Sequence, residues 1–204
     1  MVRRPETVTT EQAEIEGILM NAEVGSLGIV TEEGSPRVVP VNYVSEGSTV
    51  YFHGAMKGEK YEALRREPRV TFSVYIPLSV IPSYWLAEEN ALGATHFFKS
   101  VQIDGRAQLV EDAGEKARAL QSLMEKYQPE GKFKQVTVDE PLYQAVLGKT
   151  LIVMIEPDRV SARLKLGQNY TETTRRRLIK LLDERAEGPD IETAAEMRRT
   201  LKQK

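Results

Sequence analysis

Residues 50–72 read VYFHGAMKGEKYEALRREPRVTF, and residues 99–110 read KSVQIDGRAQLV. The first stretch predicts a strand, a basic turn, a short amphipathic helix that Pro68 ends, and a second strand. The second stretch predicts one long strand. A basic turn that opens a helix directly after a strand indicates a phosphate site, because N–H groups at a helix start are unpaired and carry partial positive charge. The sequence has no dinucleotide fingerprint and no P-loop, so the predicted site is a small one.

Composition limits the classes of protein to which the chain can belong. It has 204 residues, 41% of them hydrophobic, which is enough for one large domain with a substantial core. The net charge of -2 argues against nucleic-acid binding, and the lack of cysteine excludes disulfides and cysteine-ligated metals. No apolar run follows Met1, and none elsewhere is long enough to span a membrane. We therefore expect a cytoplasmic protein without a signal peptide and without nucleic-acid or membrane partners.

Apolar periodicity and turn residues predict six or seven strands in hairpin-like order, interrupted by helices. The predicted strands cover residues 27–31, 36–44, 49–53, 69–76, 97–111, 149–156 and 158–164. The predicted helices cover residues 9–22, 57–66, 112–127, 139–148, 171–185 and 191–202. This order predicts a mainly β, α+β fold, in which a small antiparallel barrel carries peripheral helices. The predicted domains are a barrel domain at residues 1–170 and a C-terminal helical extension at residues 171–204.

Four local features give more specific expectations. Residues 36–44 have no polar face, which is typical of a strand that is covered on both sides. Gly105 lies inside a strand pattern and indicates a bulge or a bend. Lys116 is expected on the solvent face of its helix. The last helix has few apolar anchors, so we expect it to be frayed or stabilised by a partner.

The residues that could carry chemistry cluster after the third strand. His53, one of two histidines, ends that strand, and Lys57 and Lys60 follow it. A lone histidine at a strand end usually makes one structural hydrogen bond, but lysines that oppose the helix macrodipole need another reason to be there. His53 is therefore the candidate catalytic residue, whereas His96 is expected to be an ordinary loop residue. No metal site is expected, because the two histidines lack metal-site spacing.

Several motifs of the chain recur together, in this order, in one protein family. They are Leu27-Gly28, Val41-Asn42-Tyr43, Tyr51-Phe52-His53-Gly54-Ala55, Gly58-Glu59-Lys60, Pro68-Arg69-Val70-Thr71-Phe72 and Lys99-Ser100-Val101-Gln102-Ile103-Asp104-Gly105-Arg106-Ala107. Together they resemble the FMN-binding split-barrel superfamily, closest to its pyridoxamine 5'-phosphate oxidase-like group and the 5-nitroimidazole-reductase (Nim) related flavin-nucleotide-binding proteins. The KLGQN run at residues 165–169 resembles the KLSQN signature of this group, with Gly167 in place of the usual serine.

The resemblance implies an antiparallel split barrel of the FMN-binding type, a homodimer with FMN at the subunit interface, and a flavin-dependent oxidoreductase that acts on a small molecule. The cofactor-binding residues that it implies are Pro40, Val41, Asn42, His53, Gly54, Ala55, Lys57, Lys60, Lys99, Ser100, Gln102, Lys165, Gln168 and Asn169. The long strand favours the dimer as well, because its apolar positions between Phe97 and Ile103 are too many to leave exposed.

Two other functions remain open. The chain could be a non-enzymatic, flavin-binding regulatory protein, since relatives of this fold include regulators. It could also be a haem-binding split-barrel protein in which His53 or His96 is an axial ligand. A visible spectrum distinguishes a flavin from a haem, and reduction by NADH or NADPH distinguishes an enzyme from a regulator. The substrate and the electron donor cannot be read from the sequence.

Overall fold

The computed structural model describes residues 4–201. The strands are β1 (Val8–Thr9), β2 (Gly25–Val30), β3 (Pro36–Val41), β4 (Tyr43–Glu46), β5 (Thr49–Ala55), β6 (Arg69–Ile81), β7 (Thr95–Leu109) and β8 (Thr150–Lys165). The helices are α1 (Gln12–Asn21), α2 (Glu59–Arg66), α3 (Ala113–Tyr127), α4 (Pro141–Leu147), α5 (Glu172–Arg185) and α6 (Asp190–Leu201). Within the described residues, no helix is long and apolar enough to cross a membrane.

The eight strands form one sheet. Their order is β3-β2-β6-β7-β8-β5-β4, and β1 pairs with β8 outside this path. The pairs β1–β8, β2–β3, β2–β6, β4–β5 and β5–β8 are antiparallel. Gly34 and Gly47 form the hairpin turns β2–β3 and β4–β5 with positive φ angles of 79° and 58°, which a residue without a side chain adopts at little cost. The antiparallel α+β class predicted from the sequence is therefore confirmed.

The chain divides into two compact units. Within the described range, unit 1 contains residues 4–10, 75–100 and 162–201, and unit 2 contains residues 11–74 and 101–161. Strands β6, β7 and β8 each pass from one unit into the other. Both units are thus built from segments that are far apart in the sequence. The predicted domain boundary after residue 170 stays a prediction.

The core of unit 2 is built around two aromatic rings. Tyr43 and Phe72 meet edge to face, with ring centroids 4.8 Å apart. Gly25 makes room for this pair, because a β-carbon there would lie 2.2 Å from the Phe72 ring. The Tyr43 hydroxyl contacts the carbonyl oxygens of Leu19 and Ala22 at 2.5 and 3.1 Å. Since the last carbonyls of a helix lack intrahelical partners, this contact both terminates α1 and fixes it on the sheet.

In unit 1, a buried polar network ties α5 and α6 to the end of β6. The Ser79 hydroxyl donates to Asp190 at 2.6 Å, and the Ser79 backbone N–H donates to the Thr193 hydroxyl at 3.1 Å. Arg185 donates two hydrogen bonds to the Asp190 carboxylate, at 2.6 and 2.7 Å. The Arg185 guanidinium also lies 4.5 Å from the centroid of the Trp85 ring. The buried carboxylate is therefore fully paired, as a charge inside a protein must be.

Two strand predictions were wrong in an informative way. Residues 36–44 do not form one covered strand, because β3 ends at Val41 and lies at the edge of the sheet, where Val38 is 67% exposed. The predicted break between residues 156 and 158 is absent, since β8 runs through Pro157. Gly105 explains this continuity: a β-carbon there would lie 2.2 Å from the Glu156 carbonyl oxygen, so the glycine lets the β8 backbone approach closely.

The helix ends also differ from the predicted ones. Thr9, the predicted first residue of the first helix, instead pairs with β8 together with Val8, and α1 begins at Gln12. The last helix is not frayed within the described residues, because Thr193, Ala194 and Met197 are buried against its neighbours. Its predicted final residue, Lys202, lies outside the described residues.

The apolar positions of β7 do not need a second copy of the chain to cover them. Phe97 is 1% exposed in unit 1, and Val101 and Ile103 are fully buried in unit 2. The argument for a dimer was therefore wrong for these three side chains, because the chain covers them itself, whereas Phe98 is half-buried. The dimer as such stays a prediction.

Candidate functional site

The candidate site of unit 2 begins where β5 ends. Ala55 closes the strand, residues 56–58 bend, and α2 begins at Glu59. Gly58 is the N-cap of this helix, with φ at 95° in the left-handed region, and it has no side chain to cap the first N–H groups. The helix start therefore keeps its partial positive charge and favours an anion. The strand, turn and helix predicted for residues 50–66 are confirmed.

Lys60 supplies the cation of this turn. Its Nζ lies 5.4 Å from the centroid of the Phe52 ring. The side chain folds back over the end of β5 and lies against Gly54. A β-carbon at Gly54 would lie 3.2 Å from the Lys60 Nζ. Partial burial lowers the pKa of Lys60. The amine is thus held at a defined place on the strand end.

The acids nearest to Lys60 in the sequence pair with other residues. Glu59 lies 3.1 Å from Arg37, and Glu62 lies 3.8 Å from Arg65. Among residues 4–201, no carboxylate forms an ion pair with Lys60. A partly buried cation without a counter-charge is stabilised by a bound anion.

His53 and Asn42 accompany Lys60. The His53 side chain is exposed, and both loss of hydration and the charge of Lys60 lower its pKa. Its imidazole is therefore mainly neutral at pH 7, with one nitrogen as a donor and the other as an acceptor. Tyr43 pairs with Phe52 at the end of the β4–β5 ladder, and Asn42 and His53 are their next neighbours in the chain. The same strand end and turn carry the predicted site residues Gly54, Ala55 and Lys57.

The other predicted site residues of unit 2 have mixed surroundings. Pro40 is exposed near the end of β3, whereas Val41 is buried opposite Gly25. Gln102 lies on β7 with an exposed side chain, and its amide donates to Asp104 at 3.3 Å. Of these three, Pro40 is an open surface position, and the amide of Gln102 already has a partner inside the chain.

Two of the predicted site residues in unit 1 form ion pairs or hydrogen bonds with other residues of the chain. Lys99 is 12% exposed, and its Nζ lies 3.3 Å from Glu192 and 3.4 Å from Glu196 on α6. Its charge is therefore balanced by the last helix. The Gln168 side chain accepts a hydrogen bond from the backbone N–H of Leu166 at 2.8 Å and so closes the turn after β8. The cofactor roles implied for Lys99 and Gln168 stay predictions.

Of the remaining three, Lys165 and Asn169 line a cavity of about 420 Å³ in unit 1. Gly167 turns the chain between them with φ at 73°, and a β-carbon there would lie 2.9 Å from the Tyr170 ring. This contact explains why the chain has glycine where the signature has serine. Ser100 is half-buried on β7.

The sequence reasoning missed other residues of the same cavity, among them Arg4 and Arg163. The sequence did contain a pattern that indicates Arg163. Arg163 and Lys165 alternate along β8 with the buried residues Ala162 and Leu164. Because side chains of a strand alternate between its faces, the two cations share one face.

The second histidine was expected in a loop but lies in β7, where it makes a structural contact. His96 donates from Nε2 to the carbonyl oxygen of Leu78, 2.8 Å away. Within the part of the chain that the structure describes, no group of three or more histidine, aspartate or glutamate side chains could hold a metal ion.

A family model described as pyridoxamine 5'-phosphate oxidase matches residues 11–164. No curated protein matches the chain.

Solved structures share the fold at low sequence identity. A protein proposed to confer 5-nitroimidazole antibiotic resistance in Bacteroides thetaiotaomicron is 23% identical, with a TM-score of 0.62 over 76% of this chain and 84% of that one. The flavocytochrome Anf3 of Azotobacter vinelandii is 22% identical, with a TM-score of 0.68 over 80% and 72% of the two chains. A FAD- and haem-binding protein of Mycobacterium smegmatis is 17% identical, with a TM-score of 0.63 over 79% and 74%. The split-barrel fold class predicted from the sequence is confirmed by this likeness.

Proposed function

The chain belongs to the pyridoxamine 5'-phosphate oxidase family, and from this premise we propose that it binds FMN and uses it as an oxidoreductase acting on a small molecule. One observation carries the proposal: Lys60, partly buried and without a counter-charge among the described residues, lies at a helix start that no side chain caps. A single phosphate needs a compact set of donors, which a lysine and a helix N-terminus together provide. FMN rather than FAD is proposed because the chain has no glycine fingerprint for a pyrophosphate.

The residues at the strand end fit such a cofactor. Bound FMN would supply the electron transfer, as cofactors do in enzymes of this kind. Lys60 and the first N–H groups of α2 would hold the phosphate. His53 follows Phe52 and Asn42 precedes Tyr43 at the end of the β4–β5 ladder, and both would offer neutral hydrogen-bonding groups to the cofactor. Because His53 is mainly neutral at pH 7, its ring can take up or release a proton during turnover.

The structural neighbours support a flavin cofactor, and they also suggest one alternative cofactor, a haem. The protein from Azotobacter vinelandii is a flavocytochrome, and the one from Mycobacterium smegmatis binds FAD and haem. For this chain, a haem would need an axial ligand, and His53 and His96 are the two candidates. A visible spectrum of the purified protein tests this alternative, since a Soret band without flavin bands would contradict the proposed function.

We also propose that the protein acts as a homodimer with the flavin at the subunit interface. The support comes from β3, which lies at one end of the sheet order. Both Val38 and Pro40 on this strand are exposed. An edge strand that exposes apolar side chains is a surface on which a second copy can pair.

The phosphate site predicts a specific loss on mutation. Calorimetric titration of the flavin-free protein should show FMN binding tightly and riboflavin, which lacks the phosphate, much more weakly. In Lys60→Gln, the affinity for FMN should fall by about 1.5–3 kcal/mol, because one charge-assisted contact to the phosphate is lost. The affinity for riboflavin should hardly change.

Lys134→Gln is the matched control for Lys60→Gln. Lys134 is exposed and lies 2.9 Å from Glu140, so its loss should leave FMN binding unchanged. Equal affinity of the wild-type protein for FMN and riboflavin would show that no phosphate site exists. Equal affinity of the two variants for FMN would show that the phosphate lies elsewhere.

A further inference from the structure

A cavity of about 320 Å³ lies in unit 2, where α1, β4 and α3 meet. Its wall is formed by Glu16, Met20, Val44, Ser45, Gly47 and Lys126. Lys126 is the one cation among these lining residues, and its side chain is half-buried. The one acid of the wall, Glu16, accepts a hydrogen bond from the Gln12 amide at 2.8 Å. Lys126 thus borders a space that is large enough for a small molecule.

The partners of the Lys126 amine are neutral groups. Its Nζ donates to the carbonyl oxygens of Leu19 and Ala22 at the end of α1, at 3.3 and 3.0 Å. It also lies 3.7 Å from the centroid of the Tyr43 ring. Among the described residues, Lys126 forms no ion pair with a carboxylate. Because a neutral amine keeps two N–H groups, it can still donate to both carbonyl oxygens after it has lost one proton.

Burial also favours the neutral form of this amine. It lowers the pKa of Lys126 from 10.5 to about 8, because a partly dehydrated ammonium is less stable than the neutral amine. The phenols of Tyr43 and Tyr127 face the amine, and burial raises the pKa of both, so they are uncharged at pH 7. Two acids belong to the packed segments: Glu16, which lines the cavity, and Glu23, whose charge raises the pKa of Tyr127. A lysine that dehydration makes partly neutral is a nucleophile near neutral pH.

We propose that Lys126 is an acylation site, at which an acyl phosphate transfers its acyl group to the amine and so weakens the attachment of α1. In this step the neutral nitrogen attacks the acyl carbon and forms an N–C bond. The C–O bond to the phosphate breaks, the phosphate leaves with the electron pair, and the nitrogen loses one proton to water. The product is an uncharged amide. The proposal is independent of the proposed function, because it uses neither a flavin nor Lys60.

The expected consequence is a weaker contact at the end of α1. A cation near a helix C-terminus is favoured by the helix dipole, and acylation removes this charge together with the contact between the cation and the Tyr43 ring. The acylated nitrogen keeps a single N–H, so it can donate to only one of the carbonyl oxygens of Leu19 and Ala22 at a time. The modification would therefore lower the stability of the protein.

Acetyl phosphate added to the purified protein tests the proposal without any measurement of activity. Mass spectrometry of peptides gives the acetylation rate of each lysine, at pH 7.5 and at pH 9.5. At pH 7.5 Lys126 should react about tenfold or more faster than Lys180, an exposed lysine on α5 that lies 3.5 Å from Glu184. The ratio of the two rates should fall towards one at pH 9.5, because an ordinary lysine also becomes partly neutral there.

Two controls separate the effect of the cavity from those of hydrogen bonding and of local sequence. Lys116 on α3 also donates to two carbonyl oxygens, those of Leu147 and Thr150, but it is buried and should react more slowly than Lys180. In protein that is unfolded by urea, the three lysines should react at similar rates, because the surroundings that activate Lys126 are then lost.

Lys126→Arg tests the effect on α1. Arginine keeps the positive charge but has no primary amine that acetyl phosphate could modify. After the same treatment, the melting temperature of the wild-type protein should fall by about 2–4 °C more than that of Lys126→Arg. If Lys126→Arg does not fold, Lys126→Gln resembles the uncharged amide, and its melting temperature without treatment should lie below that of the wild-type protein.

Three results would overturn the proposal. One is a rate at Lys126 that does not exceed that at Lys180 at pH 7.5. Another is a ratio of the two rates that does not change with pH or that persists in urea. The third is an acetylated Lys126 whose melting temperature falls no further than that of Lys126→Arg after the same treatment.

Discussion

Gly167 is a single backbone position on which the wall of the unit 1 cavity depends. Its φ of 73° lies in the left-handed region, and a β-carbon would lie 2.9 Å from Tyr170 and 3.1 Å from Phe97. Gly167→Ala therefore combines backbone strain with a steric clash. We expect it to lower the free energy of unfolding by about 1–3 kcal/mol, measured by urea denaturation.

Gly17 offers the opposite case in the same chain and serves as the control. It lies within α1, and a β-carbon there would meet nothing within 4 Å. Gly17→Ala should raise the free energy of unfolding by about 0.5–1 kcal/mol, because alanine has the higher helix propensity. Similar losses in both variants would contradict the explanation from local geometry.

Two lysines show how far single residues could be predicted from the sequence. The place of Lys60 at a helix start follows from its immediate neighbours, so it could be predicted. Lys116 was expected on a solvent face but is buried, and its amine contacts the carbonyl oxygens of Leu147 and Thr150 at 3.4 and 3.3 Å. Those carbonyls come from a distant part of the chain, and the helical period of α3 contains no information about them.

At the scale of elements, the attachment of α5 and α6 should depend on pH through Asp190. Hydrogen bonds from Arg185 lower the pKa of this buried carboxyl from 3.8 to about 2. The folded state thus favours the charged form, so the stabilisation is fully present above pH 4 and is lost as the pH falls towards 2. It amounts to roughly 2 kcal/mol, and urea unfolding at a series of pH values should measure it.

The comparison with Asp190→Asn isolates this effect from other carboxyl groups. The variant should be less stable than the wild-type protein at pH 5, and the difference should shrink as the pH falls through the range from 4 to 2. Asp158→Asn is the control, because Asp158 is exposed and lies 4.0 Å from Arg106. A difference between wild type and Asp190→Asn that stays constant over this range would contradict the assignment.

The same network explains why the stability of the last helix was underestimated from the sequence. Its anchors are polar at one end, where Asp190 and Thr193 meet Ser79, and a count of apolar residues does not register them. Elements whose signals are local were predicted well. The helix predicted for residues 112–127 is an example: Asp112 caps α3, and its side chain accepts a hydrogen bond from the backbone N–H of Glu115 at 2.8 Å.

At the scale of the whole molecule, short connections made part of the topology predictable. The hairpins β2–β3 and β4–β5 follow from turns of a few residues, and consecutive strands usually pair. The pairs β2–β6 and β5–β8 join strands that are far apart in the sequence, so no local pattern predicts them. The division into two units has the same origin, since each unit collects distant segments. The candidate site residues of the two units were therefore grouped by the family resemblance, because no local sequence pattern brings them together.

The proposed dimer gives the last prediction, and the burial of β7 determines which residue tests it. Val101 is fully buried, so a charge there would prevent folding and reveal nothing about assembly. Val38 is 67% exposed on the edge strand β3, and Val38→Glu should leave the chain folded. If two copies meet along β3, the added charges repel across the contact, and light scattering should change from the mass of two chains to that of one.

Val24→Glu is the control for Val38→Glu. Val24 is 50% exposed and lies outside the strands, so this variant should remain dimeric. Flavin content should fall with the dimer in Val38→Glu alone, and a flavin-loaded monomer of the wild-type protein at micromolar concentration would contradict the proposal.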